Sequence, residues 1–174
     1  MDPIIEEGYA RLLETIEDLQ EKKEGTAGEL RERIGALVAR MAVDTAPAVG
    51  TIGLEILRRA KREASGELYD QEYYRNKMIV LGKAEPLPFR PDDPTKPVDT
   101  QVCVLDEEGK FYEMMYTTTD IRVDSYAGPI TPEEAIDIYG CDLALMLYRA
   151  LYEYADKEEE LMAALARALE YIAS

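Results

Sequence analysis

Arg58-Arg59-Ala60-Lys61-Arg62 is the densest run of cations in a chain of 174 residues with 36 acidic and 20 basic side chains. Read as a helix, the run sets Arg58, Lys61 and Arg62 on one face by three- and four-residue spacing. Such a face suits a phosphate or a carboxylate. The preceding Val49-Gly50-Thr51-Ile52-Gly53 offers backbone donors but lacks both the phosphate-loop spacing and the full dinucleotide fingerprint. In a chain of net charge −16 the same cations also neutralise the protein's own acids.

A second constellation is Asp120, Arg122 and Asp124. Alternate strand positions share a face, with neighbours about 7 Å apart. Together with Asp106 these carboxylates have the oxygen chemistry of a magnesium site. The same alternation also describes a solvated sheet face. Glu29-Leu30-Arg31-Glu32 and Glu67-Leu68-Tyr69-Asp70 would set carboxylates on adjacent helical turns, but 36 acids produce such tetrapeptides by chance.

Twelve tyrosines, among them Tyr69, Tyr73, Tyr74, Tyr112, Tyr116, Tyr126, Tyr139, Tyr148, Tyr152 and Tyr154, suit core and interface positions, where an apolar ring carries a polar tip. Cys103 alternates with Val102 and Val104 and reads as a buried small hydrophobe. Cys141 falls at an expected helix start, where the dipole favours a thiolate and the adjacent Asp142 opposes it. Two cysteines 38 residues apart cannot form a four-cysteine metal site in one chain.

The chain has no histidine, so no Ser-His-Asp or Cys-His pair, imidazole base or imidazole-ligated zinc can come from it. The negative charge opposes general binding to nucleic acid or anionic lipid. No segment has the length of an apolar membrane span. Met1 to Glu7 lacks the positive-then-apolar order of a signal peptide. A cytoplasmic location is expected, and the sparse cysteines fit it.

The elements that would position these residues follow from periodicity. Asp2 and Pro3 suit a helix start, and Ile5, Tyr9, Leu12, Ile16 and Leu19 recur at four- and three-residue spacing. Lys22, Lys23 and Gly25 predict a stop. Thr26 to Glu29 matches a capping box, and Leu30, Ile34, Leu37 and Met41 carry the apolar stripe onward. An antiparallel helical hairpin is therefore expected. Pro47 predicts a third helix to about Ala64, with Gly50 and Gly53 allowing close packing. Glu67 to Asn76 reads as a short fourth helix.

Met78 to Leu81 and Gln101 to Leu105 read as strands, separated by a stiff loop with five prolines at residues 86–97. Asp106-Glu107-Glu108-Gly109 predicts a turn, with Phe111 to Thr118 as the return strand and Thr119 to Tyr126 as the next. Thr131-Pro132-Glu133-Glu134 predicts another helix, interrupted at Gly140. Asp142 can cap a last helix towards Ser174, with an apolar stripe of Leu143, Leu147, Ala150, Tyr154, Leu161, Leu165, Leu169 and Ile172 and a break near Asp156-Lys157.

The expected fold class is α+β: an N-terminal helical hairpin and further helices packed with a small antiparallel meander, closed by a long C-terminal helix. One domain is expected, mainly helical over 1–76, strand-rich over 77–126 and helical over 131–174. No motif reaches the specificity of a known catalytic site. Long apolar stripes and abundant tyrosine favour a non-catalytic oligomeric or scaffold module whose partner is a second copy or another protein. Two alternatives remain open. One is a magnesium-dependent enzyme on a phosphorylated or nucleotide substrate. The other is a small-ligand binding protein with its pocket between sheet and helices near the proline-rich loop. No resident cofactor is expected apart from that magnesium.

Overall fold

The computed structural model describes residues 3–173. Its elements are α1 (Pro3–Ile52), β1 (Leu54–Arg62), β2 (Leu68–Ala84), β3 (Thr100–Asp106), β4 (Phe111–Thr118), β5 (Arg122–Ile130), α2 (Pro132–Tyr139) and α3 (Leu143–Ala173). The chain is a mixed α+β protein.

The expected N-terminal hairpin is instead one helix of 50 residues. Each stop signal is outvoted locally. Thr26 Oγ1 donates to the Lys22 carbonyl at 2.8 Å rather than capping a new helix, and Glu29 pairs with Arg33 one turn on. A Cβ added at Gly25 or Gly28 would meet nothing within 4 Å, so each glycine costs only about 1 kcal/mol of backbone freedom. Pro47, expected to open a third helix, lies inside α1. The proposed cap Asp2 and the side chains of Ile5, Leu161, Leu169 and Ile172 lie outside the described residues.

The segments expected to be the third and fourth helices are largely strands. Residues 54–62 form β1, and 68–77 form the first part of β2. Their Leu, Glu, Arg and Lys content favours helix, but intrinsic propensity is a weak prior against tertiary pairing. The strand expected at Met78 to Leu81 is the continuation of β2.

The expected open meander closes. The strands form a barrel in the order β1-β2-β3-β4-β5, and β5 returns to β1 through Arg59–Asp124, Ala60–Val123 and Lys61–Arg122. All five pairings are antiparallel. A ring with an odd number of strands cannot alternate direction all the way round, so one strand must change course. β2 has 17 residues, and it pairs with β1 from Leu68 to Met78 and with β3 from Met78 to Ala84. Closure removes the unpaired edges that an open sheet would expose.

Two cores follow from the two faces of the barrel wall. Met78, Val102, Val104 and Met114 are buried inside it with Ile56, Tyr74, Tyr112 and Tyr116. The alternate residues Cys103 and Leu105 face outward into a second core. There they join Val38, Ala42 and Val49 of α1, Ala135, Ile136 and Tyr139 of α2, and Leu143 and Leu147 of α3. β3 is therefore covered on both faces, which accounts for its unbroken apolar run Val102-Cys103-Val104-Leu105.

Gly53 is the joint between α1 and the barrel. A Cβ there would sit 2.5 Å from the Val49 carbonyl oxygen and 3.0 Å from the Lys77 Cβ. The expected start of α2 is present as a capping box. Thr131 Oγ1 accepts from the Glu134 N–H at 3.2 Å, and the Glu134 carboxylate accepts from the Thr131 N–H at 2.7 Å. Gly140, at φ 90°, ends α2, and α3 runs through Asp156-Lys157 without the expected break. Among the described residues no helix is long and apolar enough to cross a membrane.

Candidate functional site: a cation-lined groove and two bare helical arms

β1, β2, β5 and the loop between β2 and β3 surround a groove of about 940 Å³. Its basic residues are Arg58, Arg59 and Lys61 of β1, Arg75 of β2, Arg90 and Lys96 of the loop, and Arg122 of β5. Four carboxylates, Asp70, Glu72, Asp92 and Asp124, oppose these seven cations. The groove thus holds an excess of three positive charges on a chain of net charge −16.

The strand geometry explains how neighbouring cations reach one groove. An unbroken strand would send Arg58 and Arg59 to opposite faces. The β1–β2 register shifts between Glu55 and Leu57, between Leu57 and Arg59, and again between Arg59 and Lys61. Bulges of this kind break the strict alternation of faces, and Arg58, Arg59 and Lys61 all border the groove. Arg62, expected to share their helical face, does not.

The proline-rich loop forms one wall, and it is tied down. Phe89 bridges Pro97, the Arg90 N–H donates to the Lys96 carbonyl at 3.0 Å, and Thr117 Oγ1 donates to the Pro97 carbonyl at 2.5 Å. The loop holds Arg90 with its side chain only 4% exposed. Arg90 Nε donates to Asp92 at 2.9 Å, and Nη2 donates to the other oxygen of the same carboxylate at 2.5 Å. Nη1 lies 3.1 Å from Asp124 Oδ2, but it is not aligned for a hydrogen bond and has no hydrogen-bond partner among the described residues. The Tyr126 ring centroid stands 6.0 Å from the guanidinium.

Hydrogen bonds to Asp92 hold the Arg90 guanidinium above its usual range, against the cost of burial. For Asp124, burial pushes the carboxyl up, while Lys96 and Arg90 more than offset this and leave it below the usual range. A lowered native pKa means that this ion pair stabilises the fold above the unfolded carboxylate value. The contribution is lost as pH falls through the lowered native value. Arg59 pairs with Glu72 and Lys61 with Asp70, both at 2.7 Å. Arg58, Arg75 and Arg122 are exposed and make no ion pair with any described residue.

The carboxylates expected to share a magnesium ion are not brought together. Asp124 is engaged in the groove, whereas Asp120 is exposed in the turn before β5. Asp106 is fully buried at the end of β3, beside the start of β4, whereas Asp124 pairs near the end of β4, roughly 20 Å away by strand rise. Its Oδ1 accepts from the N–H groups of Glu108 and Lys110 at 2.9 and 2.8 Å, and Oδ2 accepts from Asn76 at 3.1 Å. Among the described residues no three acidic or cysteine side chains cluster as a metal-binding group. Glu67 to Asp70 enters a strand, so those carboxylates do not occupy adjacent helical turns.

Cys103 is buried, and burial pushes its thiol up to about 12. Cys141 is exposed in the turn between α2 and α3. The groove lies across β1, β2 and β5 rather than between sheet and helices, and the proline-rich loop borders it. Sequence reading missed Arg75, Arg90 and Lys96 as site residues. Their only sequence signal is positive charge in an acidic chain.

The second unusual surface is helical. Every side chain from Glu7 to Arg33 of α1 is exposed, a stretch about 40 Å long. Tyr9, Leu12, Ile16 and Leu19 are between 49% and 64% exposed. Burial begins at Ile34, just past a two-pronged bond from Arg31 to Asp137 of α2. In α3 the described side chains from Ala155 to Arg167 are exposed, Met162 and Leu165 among them. Closer to the barrel, Tyr148 and Tyr152 stack with ring centroids 6.2 Å apart and are also exposed.

No protein-family model, curated protein or solved structure matches this chain.

Proposed function

We propose that this protein is a non-catalytic assembly module that pairs with a second copy of itself through the first thirty residues of α1. The observation that carries this reading is the bare apolar seam Tyr9, Leu12, Ile16 and Leu19. In proteins most helical stability comes from packing an apolar face, and covering this one would stabilise the helix.

The seam itself favours a copy as the partner. With Tyr9 and Ile16 at the a positions of a heptad, Leu12 and Leu19 fall at d. A β-branched residue at a with leucine at d favours two parallel strands, and the next a position, Lys23, is the kind of polar interruption that fixes register. Parallel pairing sets each seam residue against itself, the self-complementary arrangement of a two-fold dimer. The dimer would carry a barrel on each arm, which suits a scaffold.

Native mass spectrometry of wild-type protein and of Leu12→Glu/Ile16→Glu provides the test. The expected result is a wild-type dimer at micromolar concentration and a monomeric variant. The barrel's melting temperature should fall only by the amount that dilution of wild type below its dissociation constant produces. A wild-type chain that is monomeric at high micromolar concentration overturns the reading.

A further inference from the structure

We propose that the groove between β1, β2, β5 and the proline-rich loop binds a small ligand bearing several phosphate groups. The charge inventory points there. Four carboxylates neutralise four of the seven groove cations, and three arginines, Arg58, Arg75 and Arg122, remain without an ion-pair partner among the described residues. Arginine presents a planar fork of donors that matches phosphate oxygens in pairs. Three such forks around one cavity suit an anion with several charges rather than a single carboxylate.

Arg90 supplies an independent observation. Its side chain is almost wholly buried, and Nη1, although 3.1 Å from Asp124 Oδ2, has no aligned hydrogen-bond partner among the described residues. A buried donor that faces a carboxylate without an aligned hydrogen bond keeps part of its desolvation cost, and a better-placed ligand oxygen would relieve it. Asp92 fixes the other side of the guanidinium, so the fork is held in place before any ligand arrives. A pre-organised donor of this kind reduces the entropy lost on binding.

Size and charge outside the groove limit the ligand. About 940 Å³ is the scale of a small-molecule site. With three positive charges inside the groove, the rest of a chain of net charge −16 carries −19. A long polyanion that ran past the rim would enter that negative field, whereas a compact polyphosphate stays within the positive region. Tyr73 and Tyr126 line the same groove and add aromatic surface to it.

The test is isothermal titration calorimetry at low ionic strength in metal-free buffer, with inorganic tripolyphosphate as the probe and ATP in parallel. Saturable binding of tripolyphosphate at one site per chain is expected. Equal affinity for ATP identifies the phosphate chain as the recognised feature, and tighter ATP binding identifies a nucleotide. Arg58→Glu/Arg122→Glu should weaken binding at least tenfold with an unchanged melting temperature, because both positions are exposed and unpaired. Arg75→Gln, a milder change, should weaken it by a smaller factor. Absence of tripolyphosphate binding, or equal binding by the double variant, overturns the proposal. So does tighter binding of a twenty-nucleotide single strand than of ATP, which would indicate a nucleic-acid surface.

Discussion

The two halves of α1 share one continuous helix and one style of apolar spacing, yet they live in different surroundings. From Ile34 onward one face is covered: Val38, Ala42 and Val49 are fully buried against β3, α2 and α3 and Ile34 and Met41 are partly buried, although Leu37 of the expected stripe stays exposed. From Glu7 to Arg33 it is bare. The hydrophobic pattern of a helix therefore specifies that a face must be covered, but not by what. The inner half is covered by its own chain, and the outer half is bare.

The sharpest way to break this comparison is to place a charge on the inner half. Val38→Asp buries an unpaired carboxylate in the core cluster that Val38 shares with Ala42, Ala135 and Leu143, at an expected cost of about 3 kcal/mol or more. Chemical denaturation should show a large fall in the midpoint or no cooperative transition. A midpoint within 0.5 M urea of wild type, where slopes run about 1–3 kcal/mol per molar, would mean that the inner half is not core.

Glycine-to-alanine substitutions sharpen the contrast through their sign. Gly53→Ala drives a methyl group into the Val49 carbonyl and the Lys77 side chain, and about 1–3 kcal/mol of destabilisation is expected in the same assay. Gly28→Ala should have the smallest effect, and a favourable one. Its Cβ meets nothing, so alanine strengthens the outer helix by up to about 1 kcal/mol. Far-ultraviolet circular dichroism should show slightly more helical signal retained on heating than in wild type. A loss of helix at Gly28→Ala would show that the bare half depends on a contact at that position.

Features specified within a few residues were legible in the sequence. The β3–β4 hairpin turns at Gly109, with φ 77°, and Asp106 caps that turn through its own carboxylate. The Thr131-Pro132-Glu133-Glu134 start of α2 and its end at Gly140 are local as well. Features that depend on competition between local and distant contacts were not legible. Gly25 and Thr26 are stop signals, but the helical alternative was cheaper. The residues of β1 favour helix in isolation, yet β2 on one side and β5 on the other supply ladder partners that no local pattern shows.

The groove was legible only in part. Arg58, Lys61 and Asp124 were marked by charge, but the first two were assigned to a helix and Asp124 to a metal site. Arg75, Arg90 and Lys96 carried no spacing signal, because they come from a strand and a loop that meet β1 only in the barrel.

By itself the sequence determined the chemistry excluded by the absence of histidine, the acidic field, the hairpin from β3 to β4, the capped start of α2 and the presence of apolar stripes on long helices. These rest on composition or on interactions between near neighbours in the chain. Tertiary structure alone decided that α1 is unbroken, that β2 bends and β5 closes on β1, and that four distant segments gather an excess of cations in one groove. Each of those outcomes turns on pairings between residues far apart in sequence. Their free energies exceed local preference but leave no local trace.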